Sequence, residues 1–205
     1  MYEGGVKTGL ANNRVSIEAA GYLTDYRDLQ TWLPIGPTPI TAAWNVGSAK
    51  IPGLDWSIGA TPVNGLALAF SGNWNGAHDA ETVEANGTVA VSEGQRVVYV
   101  PETSFVFSAR SSRPVGRSGW IGFGDFSAQH VSSIYSNATG TDVKTDGVNN
   151  AQLRMGVQNL RLEITLFVEN LTNNRQPTTP PEFANSPWWT RLPPRSAEIN
   201  FRVRY

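Results

Sequence analysis

Ala197-Glu198-Ile199-Asn200-Phe201-Arg202-Val203-Arg204-Tyr205 is the stretch on which the reading of this chain turns, because its side chains alternate apolar and polar almost without a break. A strand points successive side chains to opposite faces, so Ile199, Phe201, Val203 and Tyr205 share one face and Glu198, Asn200, Arg202 and Arg204 the other. Three full charges in four positions do not enter a soluble core cheaply, since each unpaired buried ion costs several kcal/mol. Water is therefore expected on the charged side; a soluble antiparallel sheet with one wet face meets the same constraint, so what covers the apolar side is decided by the rest of the chain.

Working outward, the same alternation recurs in nearly every segment, and no convincing amphipathic helix interrupts it. Leu160, Leu162, Ile164, Leu166 and Val168 alternate with Arg161, Glu163, Thr165, Phe167 and Glu169, placing the charges of that strand on one face. Upstream, Leu153, Met155 and Val157 interleave with Gln152, Arg154 and Gly156. Leu66, Leu68, Phe70 and Trp74 alternate with Ala67, Ala69, Ser71, Asn73 and Asn75, and Leu54, Trp56 and Ile58 with Gly53, Asp55, Ser57 and Gly59. Val15, Ile17, Ala19 and Leu23 do the same near the start, while Phe105 to Arg110 and Trp120 to Val131 are less regular. The count comes to about nine strands, the first running from Glu3 to Leu10.

The connections carry a second signal. Ala11-Asn12-Asn13, Thr61-Pro62-Val63-Asn64 and Gln158-Asn159 read as tight turns, with Ser111 to Gly119 somewhat longer. Thr31 to Gly47, Gly76 to Val100, Ser132 to Val148 and Asn173 to Pro194 read as long loops. Short and long alternate strictly, so an up-and-down sheet collects the turns at one end and the loops at the other. That asymmetry belongs to transmembrane barrels, with lipid outside and a polar interior. The fold class expected is all-β, an antiparallel up-and-down transmembrane β-barrel segment. Tyr22, Tyr26, Trp74, Trp120 and Tyr205, near strand ends, suit interfacial aromatic girdles.

Composition narrows the function classes. The 205 residues suit a single domain, the charged fraction of 16% is low, and Gly (20) and Trp (7) are plentiful. A formal net charge of -1 argues against a nucleic-acid partner, and the absence of cysteine rules out a disulfide scaffold and thiolate chemistry. No apolar run is long enough for a transmembrane helix, and Met1-Tyr2-Glu3-Gly4-Gly5 does not read as a signal peptide.

Chemistry-bearing motifs are sparse. His78 and His130 are too isolated for a metal site by spacing. Asp125, His130 and Ser132 fall on or beside one strand with neither a nucleophile turn nor oxyanion donors, so no enzyme and no cofactor are expected. Asn86-Gly87-Thr88, Asn137-Ala138-Thr139 and Asn170-Leu171-Thr172 match a glycosylation pattern, and Gly122 and Gly124 lack the rest of a dinucleotide fingerprint. Ligand contacts are expected from the long loops, where Trp32, Trp44, Trp188, Trp189 and Arg191 combine stacking area with charge.

The terminal pattern of Ile199, Phe201, Val203 and Tyr205 resembles the last strand of Gram-negative outer-membrane barrels, which the barrel-assembly machinery reads. More widely, Tyr2-Glu3-Gly4-Gly5-Val6-Lys7-Thr8, Arg14 to Gln30, Asn45 to Asp55, Leu153-Arg154-Met155-Gly156-Val157, Leu166 to Asn173 and Pro194 to Tyr205 resemble the β-barrel of TonB-dependent outer-membrane receptors. In that family a 22-stranded barrel encloses an N-terminal plug and imports siderophores, vitamins or carbohydrates at the expense of the inner-membrane proton gradient. The resemblance implies an outer-membrane location, with lipid, the barrel-assembly machinery and a small-molecule substrate as partners. It assigns residues 1–205 to the last nine strands of the barrel, with contact to the TonB complex made only through an N-terminal part not found here. Two other classes stay open: a soluble Trp-rich β-sandwich that binds carbohydrate, and a small standalone outer-membrane barrel.

Overall fold

The computed structural model describes residues 1–34, 41–45, 47–85, 88–117, 119–136, 143–179 and 190–205. Nine long strands form one antiparallel sheet in which each pairs with the next along the chain: β1 (Tyr2–Leu10), β2 (Val15–Tyr26), β3 (Ala49–Val63), β4 (Leu66–Asn75), β5 (Thr103–Val115), β6 (Trp120–Val131), β7 (Val148–Gln158), β8 (Leu162–Glu169) and β9 (Ser196–Val203). A two-residue strand, His78–Asp79, extends the sheet by pairing with Ala49 and Lys50 of β3.

The turns are tighter than the sequence suggests. Thr61, Pro62 and Val63 belong to β3, and a register shift between Ala60 and Val63 absorbs the proline, which has no N–H for the ladder. The turn itself is Asn64-Gly65, where Gly65 takes φ +77°, a conformation that disfavours any side chain. Ser111 to Val115 likewise continue β5 and leave only residues 116–119 as connection. Ala11, Asn12 and Asn13 turn β1 into β2 with three consecutive left-handed residues, closed by Arg14 N–H donating to the Ala11 carbonyl at 3.2 Å. Arg161 lies in the turn before β8 rather than on the strand.

The long connections are not structureless loops. Each contains a small hairpin: Gln30–Pro34 with Thr41–Asn45, Val83–Ala85 with Thr88–Val91, Tyr135–Ser136 with Val143–Lys144, and Pro177–Thr179 with Thr190–Arg191. They are also laced to one another at their bases. Ala80 N–H donates to Ser48 O at 2.8 Å and the Ser48 hydroxyl to Glu81 Oε1 at 2.9 Å, joining the first connection to the second. Tyr99 N–H donates to Tyr135 O at 2.8 Å, joining the second to the third.

Burial settles what kind of sheet this is. Among the described residues the buried hydrophobic side chains are Ala49, Ala77 and Ala151, and the largest side chain fully buried is that of Thr165. A soluble sandwich of this length would bury many large aliphatics. Here Leu54, Ile58, Phe70, Phe105, Phe107, Met155, Ile164 and Phe201 are all exposed. They share one face: Ile58, Phe70 and Phe107 stand in one register row, and Trp56, Gly72, Phe105 and His130 in another. The polar face holds the shielded charge instead, with Glu163 at 7% and Thr165 at 1% exposure, as expected where side chains of a concave surface converge.

Candidate functional site: the polar face of the sheet

Successive strands β5 to β8 bring charges of alternating sign to the polar face. The register places Arg110 of β5 beside Asp125 of β6, and Asp125 beside Arg154 of β7. Arg110 Nε donates to Asp125 Oδ1 at 2.7 Å, and Arg154 donates to Asp125 Oδ2 at 3.1 Å and to Glu163 Oε1 of β8 at 3.3 Å. Glu163 Oε2 then accepts from Arg202 at 3.4 Å and Arg204 at 3.0 Å. The result is a continuous ion-pair ladder across five strands, centred on a carboxylate whose side chain is 9% exposed. Three guanidinium groups surround it, so its charge is paired and not isolated.

Aromatic rings fix the centre of that ladder. The Arg154 guanidinium lies 4.7 Å from the Phe123 ring centroid and 5.6 Å from that of Phe167, so it is sandwiched while it bridges two carboxylates. Phe123 in turn covers Gly156, its register partner, where an added Cβ would fall 2.7 Å from the ring. The Tyr22 ring covers Gly53 in the same way, also across a direct pair. Tyr22 and Tyr26 thus stand on the polar face with Glu18, which corrects their assignment to a lipid-facing girdle. Trp74 stands on the apolar face near the loop end of β4, its indole N–H donating to Glu102 at 3.4 Å.

A concave depression of about 700 Å³ opens beside the ladder, walled by Ser108, Arg110, Asp125, Gln152, Arg154 and Glu169 among others. Nothing in it resembles an acid–base pair or nucleophile, and among the described residues no group of three His, Cys, Asp or Glu is placed to hold a metal ion. Asp125 and His130 face opposite sides of the sheet, while Ser132 Oγ accepts the Thr103 N–H at 3.0 Å, so the imagined hydrolase set does not assemble. His130 is an outward residue, stacked on Phe105 with centroids 4.8 Å apart and bonded through Nδ1 to Asn149 Oδ1 at 2.7 Å.

The loop candidates divide. Trp44 is half-buried in the first hairpin, and its indole Nε1 is buried with no hydrogen-bond partner among the described residues. Trp32 pairs with Ala43 through its backbone, its side chain lying outside the described residues, as do Trp188 and Trp189 altogether. Arg191 braces its own hairpin, donating to the Arg175 carbonyl at 2.8 Å. The first and fourth connections sit near opposite ends of the strand order, so the described residues bring none of these candidates together. Asn170 is 5% exposed and donates to the Asn174 and Pro193 carbonyls at 2.8 and 2.7 Å, so it is a loop brace and not a glycan acceptor. Ile199, Phe201 and Val203 lie on the apolar face and are exposed, and Tyr205, beyond the end of β9, is exposed as well.

The ladder itself was not singled out from sequence. Its signal is charge of alternating sign on the polar face of successive strands, and that becomes visible only once the register is known.

The model of the TonB-dependent receptor-like β-barrel family matches residues 1–171. Among solved structures, the chain is similar to the ferric yersiniabactin uptake receptor FyuA of Yersinia pestis, with a TM-score of 0.76 and 20% identity over 98% of this chain and 29% of that one. It is similar to the ferric-catecholate import receptor Fiu of E. coli K12, with a TM-score of 0.70 and 17% identity over 99% of this chain and 27% of that one. BauA, the ferric preacinetobactin receptor of Acinetobacter baumannii, gives a TM-score of 0.68 at 16% identity, over 98% of this chain and 28% of its own. The chain therefore spans under a third of the length of these receptors. No curated protein matches it. The exposed apolar face, the charged concave face and the meander of nine strands agree with the family match: the chain belongs to the TonB-dependent receptor β-barrel family, whose members are outer-membrane proteins of Gram-negative bacteria.

Proposed function

We propose that this chain is part of the wall of an outer-membrane receptor that imports a ferric siderophore, driven through TonB. The observation that carries the reading is the inverted polarity of the sheet, with large apolar side chains exposed on one face and an ion-pair ladder on the other. A wall between lipid and a polar passage requires that arrangement. The siderophore class is supported by the three structural relatives, which are receptors for ferric yersiniabactin, ferric catecholate and ferric preacinetobactin.

Residues 1–205 are read as the C-terminal part of the barrel. Among the described residues β1 and β9 each pair on one side only. In lipid an unpaired edge costs several kcal/mol per backbone group, so further strands must close the sheet. Short turns then face the periplasm and the laced connections face outward, and ligand contacts are proposed to come from those connections, from Trp44, Trp32, Trp188, Trp189 and Arg191. Ile199, Phe201, Val203 and Tyr205 serve as the signal read by the assembly machinery.

The test is uptake under iron limitation by cells carrying or lacking the gene that encodes this chain. Loss of uptake of one radiolabelled ferric siderophore, repeated when tonB is deleted, is the expected result. Unchanged siderophore uptake with lost cobalamin or maltodextrin uptake would reassign the substrate.

A further inference from the structure

The apolar face carries one feature that a plain lipid-facing wall does not need. Ser111, Gly124, Met155, Leu166 and Ile199 form one register row from β5 to β9, and Arg113, Gly122, Val157, Ile164 and Phe201 form the next. Gly122 and Gly124 leave β6 without side chains at two successive outward positions; the Val115 side chain packs over Gly122, so the open floor is at Gly124. A groove of about 610 Å³ results, walled by Ser111, Met155, Val157, Ile164, Leu166 and Ile199. At its short-turn end stands Arg113, exposed and outward-facing, with no carboxylate in ion-pair range among the described residues.

A guanidinium on a lipid-facing surface is costly unless it reaches an anion. Arg14, Arg117 and Arg161 at the same end are likewise exposed and without an ion-pair partner among the described residues. Glu163, the acidic residue of β8 closest to those turns, faces the other side and is already held by Arg154, Arg202 and Arg204. The charge is therefore available to a ligand in the membrane. We propose that the groove is a binding site for one anionic glycerophospholipid, an acyl chain lying over Gly124 and the phosphate held by Arg113. This rests on the outer-membrane reading above, which places the short turns at the phospholipid leaflet.

The two glycines make the site testable. An ideal Cβ on Gly124 meets nothing closer than the Arg154 carbonyl oxygen at 4.0 Å, so a side chain there starts into the groove from an open position, whereas a Cβ on Gly122 would meet Val115 at 2.8 Å. The intact receptor, purified in mild detergent, is titrated with phosphatidylglycerol and read by native mass spectrometry. Wild type should take up one lipid saturably, and R113Q and G124L should each weaken it about five-fold or more, while R113K retains binding. Equal affinity in wild type, R113Q and G124L overturns the site, as does competition by glycerol 3-phosphate at the same concentration as the lipid. If G124L fails to give a heat-modifiable barrel, R113Q against R113K decides. Siderophore uptake by the same strains separates the two readings: lipid binding without uptake of any substrate sinks the import proposal alone, and uptake without selective lipid binding sinks the site alone.

Discussion

Glu163 shows how one residue organises its neighbours. Its carboxylate sits among three guanidinium groups and is nearly buried, so E163Q leaves Arg154, Arg202 and Arg204 to repel one another over a short span. That variant should cost about 3 kcal/mol, the scale for breaking a shielded pair, seen as a lower temperature of barrel unfolding on unheated gels. R110Q removes only an exposed rung and should cost under about 1 kcal/mol. If R110Q proves the more damaging, the ladder is not centred on Glu163. Gly53 offers a second test, because a methyl group there runs into the Tyr22 ring. G53A should destabilise by about 1–3 kcal/mol, and Y22A should recover much of that loss in the double variant. Additive effects would mean that the ring does not cover the glycine.

At the scale of elements, β5 tests the assignment of faces. Phe107 points to the apolar side and Ser108 to the polar side. F107K should cost about 2–4 kcal/mol and reduce assembled barrel, whereas S108K should be tolerated, as measured by outer-membrane fractionation. The reverse ranking would invert the sheet. The second long connection makes a pH-dependent prediction. Asp79, 3% exposed at the base of that connection, has its carboxyl pushed above the ordinary range by burial, with His78 pulling the other way. A raised acid stabilises the fold fully below its unfolded value and loses that contribution as pH rises through the folded one. D79N should therefore increase hydrogen-exchange protection of residues 76–80 at pH 7 and leave it unchanged near pH 3, below the ordinary aspartate value of 3.8. Equal protection at both pH values would mean that Asp79 is solvated. The hairpins inside the long connections were not legible in the sequence, because pairs of two to five residues carry too little alternation to be read against their Gly- and Pro-rich surroundings.

For the whole molecule, the exposed terminal row leads to a prediction about assembly. Replacing Phe201 and Tyr205 with Ser in the intact receptor should lower the amount of assembled barrel several-fold, assayed by fractionation and heat-shift mobility. Unchanged amounts would remove the terminal strand as an assembly signal. The sequence by itself determined the all-β class, the nine strands and the two ends of the sheet, because a period of two and turn chemistry act over a few residues and need no partner. It also determined which residues of each strand share a face. Only the tertiary structure decided which residues meet across neighbouring strands: Arg110 stands beside Asp125, and Asp125 beside Arg154. Register is a relation between segments up to dozens of residues apart. A slip by one residue would exchange the two faces, so the ion-pair ladder and the Arg113 groove exist only once all the strands are paired.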